Sequence, residues 1–453
     1  MSPTPALDWL FSLQRFGMRP GLERVRDLLA ATGLPAPGTR VVLVAGTNGK
    51  GSVARLVAAS LTRSGRRTGS FFSPHLERVG ERARVDGEES SAAAMEAAVD
   101  AVRPHAERLG CTFFEVVTAA ALHRFREEGA DWAVMEVGMG GRFDATNALE
   151  PELSVITGVA LDHQAVLGET AALIAREKAG VLRPGVPAVT GAQGEALAVI
   201  AEEAARLGAP LAALGRDFHA AVVAAGWGGT TVAVTGDLPG LPLTLVSPLV
   251  GRHQARNVAL AAAAALTLGV GAEHVRAAVA ATGWPGRLER LDRDRSWVLD
   301  GAHNPEAAAA LAAALDDLGG AATVLVVGVS ADKDVAGVLG PLVGADTSDA
   351  APAEEAKDER KQPPGKALPV ARIGSETWEL MDADVHFVGR RILRDKDLPL
   401  DNIEAAVRLQ DRVLSFEPLN FGVAGGTLSN TIKIDGRGEV LQADMVTAVR
   451  GLQ

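Results

Sequence analysis

The chain of 453 residues contains one cysteine, Cys111, and no tyrosine. A single thiol cannot close an intramolecular disulfide, which excludes a disulfide-stapled fold and suits a reducing compartment. Cys111 itself reads as a small buried apolar side chain. Aromatic residues make up only 4% of the chain, so base stacking on a platform of rings is excluded as a mode of action. Positive charge is short as well: 45 Lys and Arg face 56 Asp and Glu, a net charge of −11. That balance argues against nucleic acid as a partner and leaves room for a local basic pocket around a small anion. Long apolar runs are also missing. Val258 to Leu268 is too short to span a bilayer. The N-terminal MSPTPALDWLFSLQRFGMRPG lacks a basic stretch followed by an apolar one, so it reads as no signal peptide. A cytoplasmic protein with no membrane partner is expected.

What is present is an Ala-, Val- and Leu-rich composition, 47% hydrophobic and 22% charged, typical of a soluble globular chain long enough for two or three domains. Residues 6 to 35 carry helical periodicity, broken at Pro20 and Gly21. Val41 to Ala45 is a β-branched run of the kind buried in a parallel sheet. Further strands are expected at Trp132–Val137, Leu153–Val159, Val298–Leu299 and Ala322–Val329. Helices are expected at Ser91–Leu109, Val116–Glu128 and Arg256–Leu268. Alternating strands and helices imply an α/β fold with a doubly wound, mostly parallel sheet. Residues 218 to 250, rich in Gly, Thr and Val, read as antiparallel strands inserted into that plan.

Between Val41–Ala45 and the helix expected at Val53–Ser64 lies Gly46-Thr47-Asn48-Gly49-Lys50-Gly51-Ser52. A phosphate cradle needs backbone N–H groups that converge on anionic oxygens, and glycines permit the dihedrals and the close approach. The helix that follows adds the partial positive charge of its N-terminus. Lys50 would reach the outer phosphates of ATP and Ser52 would ligate Mg²⁺. The loop departs from the strict P-loop pattern, with Val44 where a glycine is usual and Gly51 between the lysine and the serine. The competing reading is a plain strand-to-helix turn with an exposed lysine.

This loop and eight further stretches resemble the Mur ligase superfamily, most closely the folylpolyglutamate synthase/dihydrofolate synthase family. They are LDWLFSLQRFGMRPGLERV, GTNGKGSV, SPHLERVGER, TFFEVVTAAAL, MEVGMGGRFDATN, TGVALDHQAVLGETAALIAREKAGV, GRHQARNVALA, PGRLERL and LDGAHNP, in the family's order, from residue 6 to about 346. The resemblance implies an ATP-binding Mur ligase-like domain at 1–287. It also implies the first half of a smaller Rossmann-like α/β domain at 288–346.

It further implies a set of roles. Gly46, Thr47, Asn48, Gly49, Lys50, Gly51 and Ser52 would hold ATP, with Asn257, Gln254 and His253 near the base. Arg287, Asp300 and His303 would contact the nucleotide as well, with Arg287 on its phosphates near the hinge. Two Mg²⁺ ions would be held by Ser52, Glu136, His163 and Lys178, the last as a carbamate formed from CO₂ and its neutral amine. Lys50, Lys178, His163 and Arg287 would be the catalytic set. Asp144 and Asn147, with Gly140, Gly141 and Arg142, would form the loop beside the metal. Ser73, Pro74, His75 and Phe114 would face the substrate together with Asp144; Phe113 and Phe114 read equally well as core.

The implied reaction is ATP-dependent amide formation between a folate-type carboxylate, on dihydropteroate or folate, and L-glutamate, by way of an acyl phosphate. A monomer acting on small molecules is expected. Beyond residue 346 the likeness stops. Residues 347–370 mix both charge signs with Pro and Ala and read as a solvated linker. Residues 371–453 read as an α+β segment outside the family pattern. It either completes the sheet with a divergent sequence, or is a fused module, or follows a half-domain that is all there is. A Mur-type ligase with another acceptor, and a nucleotide-binding protein whose tail recruits a partner and whose ligation is lost, stay open beside the folate reading.

Overall fold

The computed structural model describes residues 5–16, 21–292, 296–319, 325–329, 333–343, 383–392, 400–423, 426–435, 437 and 442–450. The chain divides into two compact units, one of residues 1–321 with 331–338 and one of 322–330 with 339–453.

The first unit is built on an eight-stranded sheet. In chain order its elements begin with α1 (Pro5–Ser12), α2 (Glu23–Thr32), β1 (Arg40–Ala45), α3 (Lys50–Arg63), β2 (Thr68–Phe71), β3 (Ala83–Val85) and β4 (Glu88–Glu89). They continue with α4 (Ala92–Leu109), α5 (Phe113–Glu127), β5 (Trp132–Glu136), β6 (Pro151–Ile156), α6 (Gln164–Leu167), α7 (Ala171–Ala179), β7 (Ala188–Thr190), α8 (Gly194–Arg206) and β8 (Leu211–Ala213). The strand order is β4-β3-β2-β5-β1-β6-β7-β8. Pairing is parallel from β2 to β8, and only the β3 and β4 edge runs antiparallel.

Strand β1 sits near the middle because Val41 to Ala45 carries no polar side chain and every one of its residues is buried. Alternation of side chains sends Val41, Leu43 and Ala45 into one core layer with α1, α2, α4, α5, α7 and α8. Val42 and Val44 point into the other layer, against α3 and the later helix at Arg252–Thr267. β1 is flanked by β5 on one side and β6 on the other, so chain crossings leave it in both directions. The loop at its carboxyl end therefore lies at a topological switch point, where open α/β sheets bind ligands.

The residues expected to form an inserted antiparallel unit do so, as β9 (Phe218–Gly226), β10 (Gly229–Gly236) and β11 (Leu243–Ser247) in a three-stranded sheet. Then come α9 (Arg252–Thr267) and α10 (Ala272–Ala281). α9 is alanine-rich and buried nearly all round, its small side chains letting it lie close to α3. The chain continues through a hairpin of β12 (Glu289–Asp292) and β13 (Ser296–Leu299), then α11 (Pro305–Asp317) and α12 (Val335–Val343). α11 starts where the sequence places it: Asn304 caps it by accepting the Ala307 N–H at 2.9 Å, and Pro305 occupies the first helical turn. The strand expected at Ala322–Val329 is not formed over 325–329, and residues 322–324 lie outside the described residues.

The expected linker at 347–370 also lies outside the described residues. In the second unit the described part of 371–453 is a five-stranded antiparallel meander and holds no helix, where a mixture of helix and strand was expected. Its strands are β14 (Ala383–Ile392), β15 (Leu400–Gln410), β16 (Val413–Val423), β17 (Gly426–Asp435) and β18 (Gln442–Arg450), paired in that order. Val407 and Leu409 pair with Phe416 and Leu414, and these pair with Ile432 and Ile434, so one face of the meander is apolar. Isoleucine, valine and phenylalanine at alternate positions favour that extended ladder over helix.

Candidate active site

The loop after β1 is held open by its neighbours. Gly46 has φ +146, and a Cβ there would stand 1.9 Å from Thr157 Oγ1. Gly49 caps α3 at φ +82, with Asn257 so close that a Cβ would meet its Oδ1 at 2.3 Å. Both positions demand glycine on dihedral and on space. Thr157 Oγ1 donates to Asn48 O at 2.6 Å, and Thr47 Oγ1 accepts the Ala160 N–H at 3.0 Å. Lys50 Nζ donates to Thr47 O at 3.0 Å. Burial lowers the Lys50 pKa, while Glu136, Asp162 and Asp144 oppose that shift.

Glu136 closes β5 opposite Val44 and is 5% exposed. Its Oε2 accepts the Ser73 N–H at 3.0 Å. Burial holds this carboxyl above its ordinary range, against the pull of Lys50, the Ser73 amide, Arg287 and Arg82. Ser52 Oγ is buried and has no hydrogen-bond partner. An orphaned hydroxyl in the first turn of α3 and a buried carboxylate beside Gly51 of that turn form a donor set that suits a hard cation.

Lys178 ends α7, is 3% exposed, and donates to Gly46 O at 2.8 Å. Burial, followed by repulsion from Lys50, lowers its pKa to about 7. The GMGGRFDATN loop packs on the end of the same helix. Gly141 lies where a Cβ would come 2.7 Å from Glu177 O, and Asn147 Nδ2 donates to Arg142 O and Gly180 O. Asp144 is occupied within that loop, accepting from Met139 N, Thr146 N and Thr146 Oγ1. Its carboxylate therefore shapes the loop, and the residue also borders a second cavity.

His163 adopts φ +51, and its Nε2 lies 3.2 Å from Lys333 Nζ. Lys333 donates to Asp162 Oδ1 at 2.6 Å. Burial depresses the His163 pKa, with Asp162 acting against it. Asn304 and Asn48 exchange side-chain hydrogen bonds at 2.9 and 3.2 Å, Asn304 also donates to Asp162 Oδ2, and Asn48 donates to Glu306. The start of α11 thus docks directly on the glycine loop. Asp300 accepts from Leu288 N and Ala302 N, and His303 Nδ1 lies 2.8 Å from Gly301 O. Asn257 donates to Gln254 Oε1 at 2.9 Å, both buried, with His253 beside them.

These groups converge on one cavity of about 520 Å³. Gly46 to Ser52, Glu136, His163, Lys178, His253, Gln254, Asn257, Arg287, Asp300 and His303 all line it. A second cavity of about 380 Å³ adjoins it and shares Ser73, Pro74, Gly138 and Met139 with it. Phe113, Phe114, Phe143 and Arg82 line this second space. Phe113 stacks on Phe11 at 5.9 Å and lies under the Arg82 guanidinium at 5.4 Å. Burial lowers the Arg82 pKa to about 10.

His75 lines neither cavity. Its Nδ1 accepts Arg82 Nε–H at 2.7 Å, so it positions an arginine that the sequence reading overlooked. Thr157, Asp162, Asn304 and Lys333 were overlooked as well. Asp162 and Asn304 stand inside the LDHQ and LDGAHNP stretches and were within reach; Lys333 carries no local signal. Cys111 is buried and burial pushes its thiol up to about 12, in keeping with an inert side chain. No helix among the described residues is long and apolar enough to cross a membrane.

Comparison with known proteins identifies the family. The Mur ligase middle domain matches residues 44–265 and the "Mur ligase, glutamate ligase domain" matches residues 286–370, while the AsmA family matches residues 335–453. The folylpolyglutamate synthase of Lacticaseibacillus casei is 38% identical over 360 residues, 76% of this chain and 84% of that protein. The "Probable bifunctional folylpolyglutamate synthase/dihydropteroate synthase" of Haloferax volcanii is 43% identical over 349 residues, 74% of this chain. The matched part is 41% of that archaeal protein's own length. A solved "FPGS-AMPPCP-folate complex" superposes with a TM-score of 0.70 at 37% identity, covering 76% of this chain and 87% of that one. With a parallel sheet, a glycine loop at its switch point and relatives of this identity and coverage, the chain belongs to the folylpolyglutamate synthase/dihydrofolate synthase family of the Mur ligases.

Proposed function

We propose that this chain is an ATP-dependent ligase that couples a folate-type carboxylate, on dihydropteroate or folate, to the amine of L-glutamate through an acyl phosphate. The observation that carries the reading is the junction of the two cavities, walled by Ser73, Pro74, Gly138 and Met139. A flat ring held among Phe113, Phe114 and Arg82 would send its carboxylate through that junction toward Lys50 and Glu136. The relative crystallised with an ATP analogue and folate supports the same pair of occupants.

ATP would lie along the loop at 46–52 with its γ-phosphate toward Glu136. The substrate carboxylate oxygen attacks the γ-phosphorus, the bond to the bridging oxygen breaks, and ADP leaves. Lys50 and the amides at the α3 N-terminus offset charge on the phosphoryl oxygens, which is the main work in such transfers. The glutamate amine, neutral when it attacks, bonds to the acyl carbon. The tetrahedral intermediate then expels phosphate, which carries off the amine proton. Water must be kept from the acyl phosphate. The Asn48–Asn304 and Asp162–Lys333 contacts serve that purpose by closing α11 and its neighbours over the loop.

Ser52 and Glu136 would hold a Mg²⁺ ion. The donor set fits an ion that takes few protein ligands and fills its shell with phosphate oxygens and water. No group of three or more His, Cys, Asp or Glu able to hold a metal stands among the described residues. When bound, the ion neutralises phosphate charge. A second ion would use His163 and a carbamylated Lys178, and it requires Lys333 to withdraw from His163. The buried Lys178 amine, with its lowered pKa, is neutral enough to add CO₂. We place this monomeric enzyme in the cytoplasm.

One observation favours a second reading, a nucleotide-binding protein that has lost ligation. Residues 335–453 match a different family, and their described part beyond α12 is a β-meander. Phosphate release separates the two. The ligase releases phosphate only when ATP, a pteroate- or folate-type acceptor and L-glutamate are all present. ATP binding with no dependence on the other two would reject it.

A further inference from the structure

A third cavity, of about 490 Å³, lies outside the nucleotide and ring sites, with Arg55, Arg84, Arg287 and Trp284 on its wall. A space of that size among charged side chains is roomy and polar enough to hold water. It comes close to the reaction centre, because Arg287 lines this rear cavity and the nucleotide cavity alike. The partition between the two is thin. Gly51 and Glu136 line the nucleotide side, and Trp284 lines the rear side. A Cβ on Gly51 would lie 3.2 Å from Trp284 Nε1 and 3.5 Å from Glu136 Oε2. The indole and the carboxylate therefore approach one point across a residue with no side chain. That explains the glycine which interrupts the usual lysine-serine pair of a phosphate loop: a side chain there would push the indole away from the carboxylate.

Trp284 is fixed from several sides. Its ring packs on the buried Phe72 at 4.7 Å, and the Arg55 guanidinium lies over it at 5.8 Å. Pro285 follows and restricts the backbone. The Gly286 N–H then donates to Glu289 Oε2 at 2.9 Å and the Leu288 N–H to Asp300 Oδ2 at 2.8 Å. A tryptophan that served only as core would be enclosed by apolar side chains. This one is half-buried and stands between a carboxylate at the reaction centre and a polar cavity behind it.

Resting on the ligase reading, we infer that Trp284 makes the acyl phosphate select the glutamate amine over water: its indole is the seal between the reaction centre and the rear cavity. The side reaction it prevents is simple. A water oxygen bonds to the acyl carbon, and the bond from that carbon to the phosphate oxygen breaks. Phosphate leaves, the acceptor carboxylate is restored, and the protons of the water pass to solvent. ATP and water are consumed and no amide forms.

The test uses the full chain with Trp284→Phe, Trp284→Leu and Trp284→Ala, folding being checked by thermal melting. The acceptor carries isotopically heavy oxygen in its carboxylate, and phosphate and amide are both measured. Phosphate that leaves an acyl phosphate keeps an acceptor oxygen and is labelled; phosphate from direct hydrolysis of ATP is not. With ATP and acceptor but no glutamate, we expect Trp284→Ala to release labelled phosphate about tenfold or more faster than the parent, with the KM for ATP within about twofold. Trp284→Leu should leak less, and it carries the test if the alanine variant does not fold. Trp284→Phe keeps a ring in place and should stay near the parent. With glutamate added, phosphate should exceed amide in Trp284→Ala and match it in the parent. Labelled release unchanged in the folded leucine and alanine variants overturns the seal. So does a rise in unlabelled phosphate alone, or a leak from Trp284→Phe as large as from Trp284→Ala. A parent that forms no amide is a separate result: it rejects the ligase reading, and the seal falls with it.

Discussion

Replacing Lys50 with alanine separates catalysis from folding. The structure gives this side chain one visible structural task, the hydrogen bond from Nζ to Thr47 O at 3.0 Å. A hydrogen bond of this kind contributes about 1 kcal/mol net. Its loss is offset in part because Lys50 is a cation in a buried setting that also repels Lys178. The net change in stability should stay within about 1 kcal/mol, or roughly 1–2 °C in melting temperature for a unit of this size. The chemical task is far larger. Loss of one preorganised donor to a developing oxyanion costs about 2.7–4 kcal/mol, or roughly 10²–10³ in kcat, and a full positive charge at the γ-phosphate should lie at or above the upper end. Phosphate release with ATP, acceptor and glutamate all saturating, read beside a thermal melt, checks both halves. Turnover within about tenfold of the parent in a folded Lys50→Ala protein would refute the phosphate-cradle assignment. A variant that fails to fold would refute the claim that the lysine serves chemistry first.

Three further predictions draw on the same site and its surroundings. Gly46→Ala forces φ +146 on a residue with a side chain and drives its Cβ into Thr157; strain of about 1–3 kcal/mol should weaken binding of a non-hydrolysable ATP analogue roughly ten- to hundredfold, and unchanged affinity by calorimetry contradicts the close-approach argument. Lys178→Ala should lose activity and regain part of it with bicarbonate and a short-chain carboxylic acid, whereas parental turnover without rescue rules out the carbamate. His123, on α5, has a buried Nδ1 without a partner, and burial, then Arg126, depress its pKa. Its neutral form therefore contributes stability that is complete above the unfolded value near 6.5 and is lost as pH falls through the folded value; His123→Leu should narrow the gap between melting temperatures at pH 7.5 and 5.5, and an unchanged gap removes His123 from the account.

The parts of the fold that could be read in advance are those where local chemistry leaves one choice. Val41 to Ala45 has no polar face, so it had to be a central strand, and the glycines at 46 and 49 take dihedrals and spaces closed to other residues. The glycine loop, Glu136 and Lys178 were legible for that reason together with the family likeness. Lys333 was not, because a lysine of this kind acquires its role only when a distant partner reaches it. Lys333 meets Asp162 across 171 residues of chain, and no window of sequence contains both. Arg55 and Arg84 have the same character: they lie on helix α3 and on strand β3, next to the sheet's edge, and only the fold brings them to Gly87 together.

The change of character beyond residue 346 bears on catalysis less than it first suggests. Among the described residues, every group from the second half of the chain that touches the glycine loop or its acidic neighbour precedes that point. Asn304 and Glu306 meet Asn48, and Lys333 meets Asp162. The residues lining the nucleotide cavity end at Leu311. A substituted tail therefore spares the contacts that hold the nucleotide end of the site, and what it can alter is the cost of opening and closing around them. Closure that is easier or harder changes the rate of product release and the access of water to the acyl phosphate, leaving the phosphate cradle as it was. The expected signature of an altered tail is thus slower amide formation with ATP affinity preserved, phosphate release still requiring the acceptor and L-glutamate. Loss of ATP binding together with ligation would place the defect in the loop at 46–52, which the arrangement of contacts gives no reason to expect.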